Sequence, residues 1–260
     1  MRIAVLVKHV VDSTEVRFDK NTGELKLRGL PEKISDYDKH AIEAAVKIKS
    51  ELDATVTAFS FGQKDAIKSL KEGVAMGADE GVLILDLKAN QIYDPTFTAE
   101  VLSRAIENSG GADMVLCGAM TEDITNHITG ASVAFLLGCP HIPNVTALGS
   151  VEEKKLGGVF EMDGIETTFQ TKMPVVLSVT RKLNEPRLAT KIQILKVPMK
   201  KVTTVTLDDL KKATDGDSGP GASFDSYTPI TKERKRVVLS GDINDIADEL
   251  IQKVREENVL

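Results

Sequence analysis

Tryptophan is absent from these 260 residues, and aromatic residues make up only 4% of them. That leaves few rings for stacking bases or a flavin within this chain alone. Cysteine is nearly absent too. Cys117 and Cys139 cannot build a disulfide framework, and both sit among apolar neighbours where a reduced thiol behaves as a small hydrophobe, so a reducing, cytoplasmic compartment is expected. Long apolar runs are lacking: the opening MRIAVLVKHVV is interrupted by Lys8 and His9, has no small-residue cleavage site, and falls far short of the ~20 apolar residues that cross a bilayer. Neither a signal peptide nor a transmembrane helix is expected. There is no excess of positive charge, since 33 Lys and Arg face 39 Asp and Glu for a net charge of −6, which argues against a general nucleic-acid surface. The basic residues bunched at Lys191 to Lys201 and at Lys232 to Arg236 read as solvated faces.

The usual catalytic signatures are missing as well. His9, His40, His127 and His141 have no His, Cys or carboxylate at the helical spacings that zinc sites use. Neither cysteine belongs to a CxxC motif or is paired in sequence with a base. A G-x-S-x-G elbow, a Walker A loop and a G-x-G-x-x-G fingerprint are all absent. A metal enzyme, an ordinary hydrolase and an ordinary dehydrogenase thereby lose their support.

What is present is an alternation of short apolar runs with amphipathic stretches over the first ~180 residues, the pattern of a parallel sheet covered by helices. Strands are expected at Ile3 to Val7, Thr55 to Phe61, Val82 to Leu85 and Met114 to Gly118. The first helix runs from about Asp38, with Ala41, Ala45, Ile48 and Leu52 on one face. A second carries Ala66, Ile67, Leu70 and Val74 and stops at Gly77 as its C-cap. A third opens with Asp94 as N-cap and Pro95 in its first position, turning Phe97, Val101 and Ala105 inward. A fourth, Thr129 to Leu137, is apolar nearly all round and is expected to be buried. After Gly157 a half-exposed strand is expected around Ile165, Thr167 and Phe169, and a buried one in VVLSVT after Pro174. From Arg181 onward long periodic structure is lost, Thr214 to Ser226 has a linker composition, and a last helix from about Asn244 carries Ile246, Leu250, Ile251 and Val254 as an apolar stripe. The expected organisation is an α/β domain over residues 1–185 and a partner-recognition loop and C-terminal arm over residues 186–260.

In an open parallel sheet ligands bind beyond the carboxyl ends of the strands, near the switch in strand order. Lys8 to Ser13, Ser60 to Gly62 and Gly118 to Gly130 occupy such positions. The last, within CGAMTEDITNHITG, leaves an apolar strand and enters an apolar helix at Thr129-Gly130. Two readings stand side by side there. Gly130 would let backbone approach a phosphate at a helix N-terminus, or Thr129 simply caps a helix that holds no ligand.

Four segments together resemble the beta subunit of the electron transfer flavoproteins over essentially the whole chain. They are VLVKHVVD at the start, SFG with LKEGVAMGADEG at residues 60–62 and 70–81, CGAMTEDITNHITGASVA, and MPVVLSVTRKLNEPRLAT at residues 173–190. The resemblance implies a flavodoxin-like or adenine nucleotide alpha hydrolase-like α/β fold, a mostly parallel sheet with helices on both faces, and an extended C-terminal arm ending in a helix. It implies a larger alpha subunit that carries the redox-active FAD, and a buried adenine nucleotide in this chain: AMP in most members, a second FAD in electron-bifurcating ones. By position the pocket would be built from Leu6, Ser35, Asp36, Tyr37, Asp38, Phe61 and the loop from Gly118 through Gly130, with Met120, Asp123, Asn126, His127, Ile128 and Thr129 in it. Two departures stand out: Ser35-Asp36-Tyr37 replaces Asn-Pro-Phe, and Phe160 stands where the pattern has a basic residue.

The function implied is that of an electron carrier subunit without a catalytic acid, base or nucleophile of its own. It takes electrons from flavin-dependent dehydrogenases and passes them to a quinone reductase or another acceptor. In this reading LNEPRLATKIQILK is the dehydrogenase-recognition loop, with Leu188, Ile192, Ile194 and Leu195 as apolar anchors. AMP is expected rather than a second FAD, because bifurcating relatives carry a loop resembling DGDTAQVGP where this chain has the bulkier Ile124, Asn126, His127 and Ile128. The rival is a stand-alone adenine-nucleotide protein, binding or cleaving ATP on the same fold. The tail, which a free-standing module has little use for, and the missing glycine-rich phosphate loop separate the two.

Overall fold

Runs of Val, Ile, Leu and Ala without interleaved charge can be buried on both faces, and such runs form the centre of the sheet. The computed structural model describes residues 1–19, 22, 24–27, 29–89, 92–152, 155–210, 219–222 and 235–257. Its strands are β1 (Arg2–Leu6), β2 (His9–Val11), β3 (Arg17–Phe18), β4 (Leu25–Lys26), β5 (Glu32–Ile34), β6 (Thr55–Gly62) and β7 (Glu80–Leu85). They continue as β8 (Met114–Gly118), β9 (His141–Glu152), β10 (Lys155–Met162), β11 (Ile165–Lys172), β12 (Val175–Val179) and β13 (Val202–Thr206). The helices are α1 (Asp36–Glu51), α2 (Ile67–Met76), α3 (Pro95–Asn108), α4 (Thr129–Leu136), α5 (Lys191–Lys196) and α6 (Ile243–Glu256). Two compact units divide the chain, Met1–Ser226 and Tyr227–Leu260.

In the first unit the main sheet has the order β11-β10-β9-β12-β8-β1-β6-β7-β13. From β9 to β13 every pairing is parallel, and β10 and β11 extend the sheet as antiparallel strands. The chain winds outward from β1 through β6 to β7, then returns through α3 to β8 on the other side of β1. The strand order therefore switches between β1 and β8, and their carboxyl ends are where a crevice must open.

Alternation along β1 assigns the two faces. Ile3 and Val5 join α1 and α2 residues such as Ala41, Ile42 and Leu70 in one core. Ala4 and Leu6 join Val101, Leu102 and Ile106 of α3 and Val133 and Ala134 of α4 in the other. Each large aliphatic side chain fully buried this way contributes roughly 1.5–3 kcal/mol. Gly77 ends α2 at φ +128°, in the conformation open to glycine, and Asp94 caps α3 by accepting from the N–H groups of Thr96 and Phe97.

Two expectations are corrected. The fourth helix is not buried all round: α4 is short and turns only Gly130, Val133 and Ala134 inward, while Phe135 is 85% exposed and Leu136 41%. In β11 the half-exposed alternation is confined to Phe169 and Thr171, because Ile165 and Thr167 lie at the outer, exposed end of an edge strand. The strand β13 carries no strong signal in sequence, yet it pairs with β7 along its whole length.

Of the linker expected over Thr214 to Ser226, residues 214–218 and 223–226 lie outside the described residues, as do residues 232–234 of the second basic cluster. In the second unit α6 is capped by Asp242, whose carboxylate accepts from the N–H groups of Asn244 and Asp245. Among the described residues no helix is long and apolar enough to cross a membrane.

Candidate functional site

The carboxyl ends of β1 and β8 are joined by one buried carboxylate. Asp38, in the first turn of α1, accepts from Lys8 N at 2.8 Å through Oδ2 and from Gly118 N at 3.1 Å through Oδ1. Burial pushes its pKa up to about 7, against the pull of these two N–H groups. Gly118 is required for the close approach, since a Cβ there would stand 2.6 Å from both Asp38 Oδ1 and Tyr37 Cβ.

The loop after β8 is tied down from two sides. The Glu122 carboxylate, 6% exposed, accepts from Asp36 N at the start of α1 (2.8 Å) and pairs with Lys33 Nζ (3.1 Å). Asp123 pairs with Lys8 Nζ at 2.6 Å. Between these anchors and α4 the backbone takes left-handed turns at Thr125 (φ 54°) and His127 (φ 58°). For a β-branched threonine that conformation is costly and is sustained by the surroundings. Thr129 is not the N-cap: it is the first helical residue, and the cap position falls to Ile128, whose side chain has no acceptor. The first helical bond there runs from Ser132 N to Ile128 O, so the N–H groups of residues 129–131 leave the helix end without a side-chain cap.

These elements line one cleft. Its floor is Leu6, Val7, Lys8, Asp38, Cys117 and Gly118, and its loop wall runs from Ala119 through Thr121, Ile124 and Asn126 to Gly130. The opposite wall is Phe61 with Ala89, Ile92, Tyr93, Asp94, Pro95, Thr98 and Leu102, and Phe61 is braced edge-on by Phe97.

Of the residues expected in the pocket, Leu6, Asp38, Phe61, Gly118, Met120, Asn126, His127, Ile128, Thr129 and Gly130 all line this cleft. Ser35, Asp36, Tyr37 and Asp123 are not among its lining residues. Ser35 is buried at the start of α1, Asp36 pairs with Lys33, and Tyr37 lies 4.6 Å beneath the Arg181 guanidinium. Sequence reasoning placed Lys8 at a strand end but missed its pairing with Asp123, Glu122 as an anchor, and the opposite wall of Ala89, Ile92, Tyr93, Asp94, Pro95, Thr98 and Leu102. The Asp94-Pro95 cap was the available signal, since it places a helix start beyond the end of β7.

A separate apolar surface lies on α5 and the turn before it. Leu188 is 87% exposed, Ile192 65% and Leu195 78%, whereas Ile194 is half-buried. The preceding segment is held on α1 by a forked pair from Arg187 to Glu43 (2.7 and 2.8 Å) and by Asn184 Nδ2 donating to His40 O (2.9 Å). α5 itself opens with a reciprocal cap between Thr190 and Gln193.

A family model described as the electron transfer flavoprotein domain matches residues 23–210. The chain is similar to proteins named electron transfer flavoprotein subunit beta from Thermoanaerobacterium thermosaccharolyticum, at 33% identity, and from Clostridium acetobutylicum, at 32%. It is 28% identical to the caffeyl-CoA reductase-Etf complex subunit CarD of Acetobacterium woodii, and in all three comparisons 100% of both chains is covered.

Proposed function

The chain belongs to the electron transfer flavoprotein family, on the side of its beta subunits, and from that premise we propose that it binds AMP in the cleft at the β1/β8 switch and works paired with a larger, FAD-carrying alpha subunit. The observation that supports AMP most directly is the lining of the cleft. Ile124, Asn126, His127 and Ile128 all face it, where small residues would be needed to admit a diphosphate and a flavin tail. Charge points the same way. Among the described residues the lysine that lines the cleft is Lys8, on its floor and already paired with Asp123, and Asp38 and Asp94 also line the cleft. A monophosphate asks only for N–H donors, which the uncapped start of α4 offers with the favourable end of its dipole. Leu6, Phe61, Ile92 and Leu102 offer an apolar slot for the base.

Acid release of bound ligands from the complex copurified with the alpha subunit tests this. One FAD and one AMP per heterodimer is the expected result, and two FAD with no AMP would refute it. A chain that purifies alone, well folded and holding nucleotide while the larger subunit folds separately, would favour the rival reading of a free-standing nucleotide protein.

The flavin supplies the electron chemistry when it is bound. This chain binds, orients and presents surfaces. The segment Lys8 to Ser13 is proposed to face the flavin of the partner. The arm ending in α6 is proposed to lie on the alpha subunit through Ile243, Leu250 and Ile251, which are exposed apolar residues. The α5 surface is proposed to receive the dehydrogenases, with Lys191, Lys196 and Lys200 steering an acidic partner. Leu195→Ala should slow electron transfer from the dehydrogenase by roughly tenfold, the size of a modest anchor residue, and should leave the flavin spectrum unchanged. Stopped-flow reduction reads it, and unaltered rates for Leu188, Ile192 and Leu195 variants alike would remove the docking role from this loop.

A further inference from the structure

The place where a Gly130 side chain would stand is taken. An added Cβ would lie 2.9 Å from Cys117 Sγ, 3.1 Å from His141 Nε2, and closer still to Ser178 Oγ. The three groups come from the neighbouring strands β8, β9 and β12. They form one hydrogen-bonded chain, with His141 Nε2 2.8 Å from Ser178 Oγ, which is 3.3 Å from Cys117 Sγ. Cys117 and Ser178 are buried. Burial pushes the thiol up to about 12 and the imidazole below its usual value, so both stay uncharged near neutral pH. Ser178 and His141 do not line the cleft, whereas Cys117 and Gly130, beside which they stand, do.

We infer that Ser178 and His141 are positioning residues for the phosphate end of the cleft, seating the first turn of α4 so that its uncapped N–H groups point at the ligand. This rests on the nucleotide reading above. The backbone of Gly130 lies directly on the Ser178 hydroxyl, and the bond to His141 holds that hydroxyl in one rotamer. Without the bond the hydroxyl can turn, the seat loses its shape, and the helix end shifts. A shift of a few tenths of an ångström misaligns donors whose strength falls steeply with angle, and it does so for the phosphate alone. The base, held by Leu6 and the opposite wall, does not touch this seat.

Titration of AMP and of adenosine into the complex copurified with the alpha subunit, stripped of bound nucleotide, separates these contributions. The wild-type chain should prefer AMP. Ser178→Ala and His141→Leu should weaken AMP by roughly 5–20-fold, about one hydrogen bond's worth, and change adenosine less than about twofold. His141→Gln, which can still reach the hydroxyl, should restore most of the preference. Equal losses for AMP and adenosine would mark a general structural role and overturn the inference. Wild-type binding with variants unchanged overturns the inference and leaves the nucleotide reading standing, whereas a wild-type chain without affinity for AMP overturns both. If Ser178→Ala does not fold, the His141→Leu and His141→Gln pair carries the same comparison.

Discussion

Gly130→Ala should weaken the proposed adenylate binding and destabilise the fold together. Alanine is the better helix former by about 0.5–1 kcal/mol, so on propensity alone the substitution would stabilise α4. The contact outweighs that gain. The new Cβ would meet Ser178 Oγ inside contact distance and Cys117 Sγ at 2.9 Å, and both atoms sit on short side chains fixed to strands. Either α4 lifts from the sheet or Ser178 leaves His141, and overpacking of this kind costs roughly 1–3 kcal/mol. Val133 and Ala134, buried one turn further along, would move with the helix. Urea unfolding and acid-released adenylate provide the two readings, and pairing the change with Ser178→Gly should recover part of the stability by removing the nearest atom. An unchanged urea midpoint with a full complement of AMP would show that the seat yields more easily than its packing implies.

The strands β1, β7 and β8 are legible because a parallel strand buried on both faces leaves an apolar run, β6 because its Thr, Val and Phe favour a strand, and the start of α3 because Asp94-Pro95 is a cap whose chemistry is local. α4 misled for a related reason. An all-apolar stretch signals burial only when every face has something to meet, and among the described residues Phe135 stays 85% exposed. Glu122 could not be found from its own surroundings, since the helix start it satisfies at Asp36 lies 86 residues earlier. The Cys117, Ser178 and His141 cluster likewise exists only once β8, β12 and β9 are laid side by side. Leu6 and Phe61 are placed by a resemblance in sequence, Gly118 and Gly130 also by their position between a strand end and a helix start. Why two of them must be glycine is a matter of what stands 2–3 Å away, and three-dimensional neighbours leave no periodicity to read.

Asp38 should make the stability of the fold fall as pH rises from about 4 to about 7. Its carboxyl titrates at its ordinary 3.8 in the unfolded chain and is pushed up to about 7 by burial in the fold. Between those values the native state therefore holds a proton that the unfolded chain has lost, and stability declines as pH climbs through the window and levels off above it. The two values place an upper limit on the effect on the order of 4 kcal/mol. Glu43 and Asp79, held below the usual carboxylate range by Arg187 and by Lys49 with Val56 N, act in the opposite sense and at lower pH. Their contribution is present above the unfolded value and is lost as pH falls through the folded one, so it is common to wild type and variant and cancels between them. Asp38→Asn removes the titration and one of two acceptors, leaving an amide N–H turned toward either Lys8 N or Gly118 N. Against the protonated acid, whose hydroxyl oxygen can still accept, that mismatch costs roughly 1–3 kcal/mol. Urea midpoints recorded from pH 4.5 to 8 should then show the wild type well above Asp38→Asn in acid and converging on it toward neutrality. The same join holds the floor of the cleft, so the variant should also lose adenylate during purification. Parallel curves across the whole range would mean that the carboxylate is charged in the fold throughout, its two backbone donors outweighing its burial.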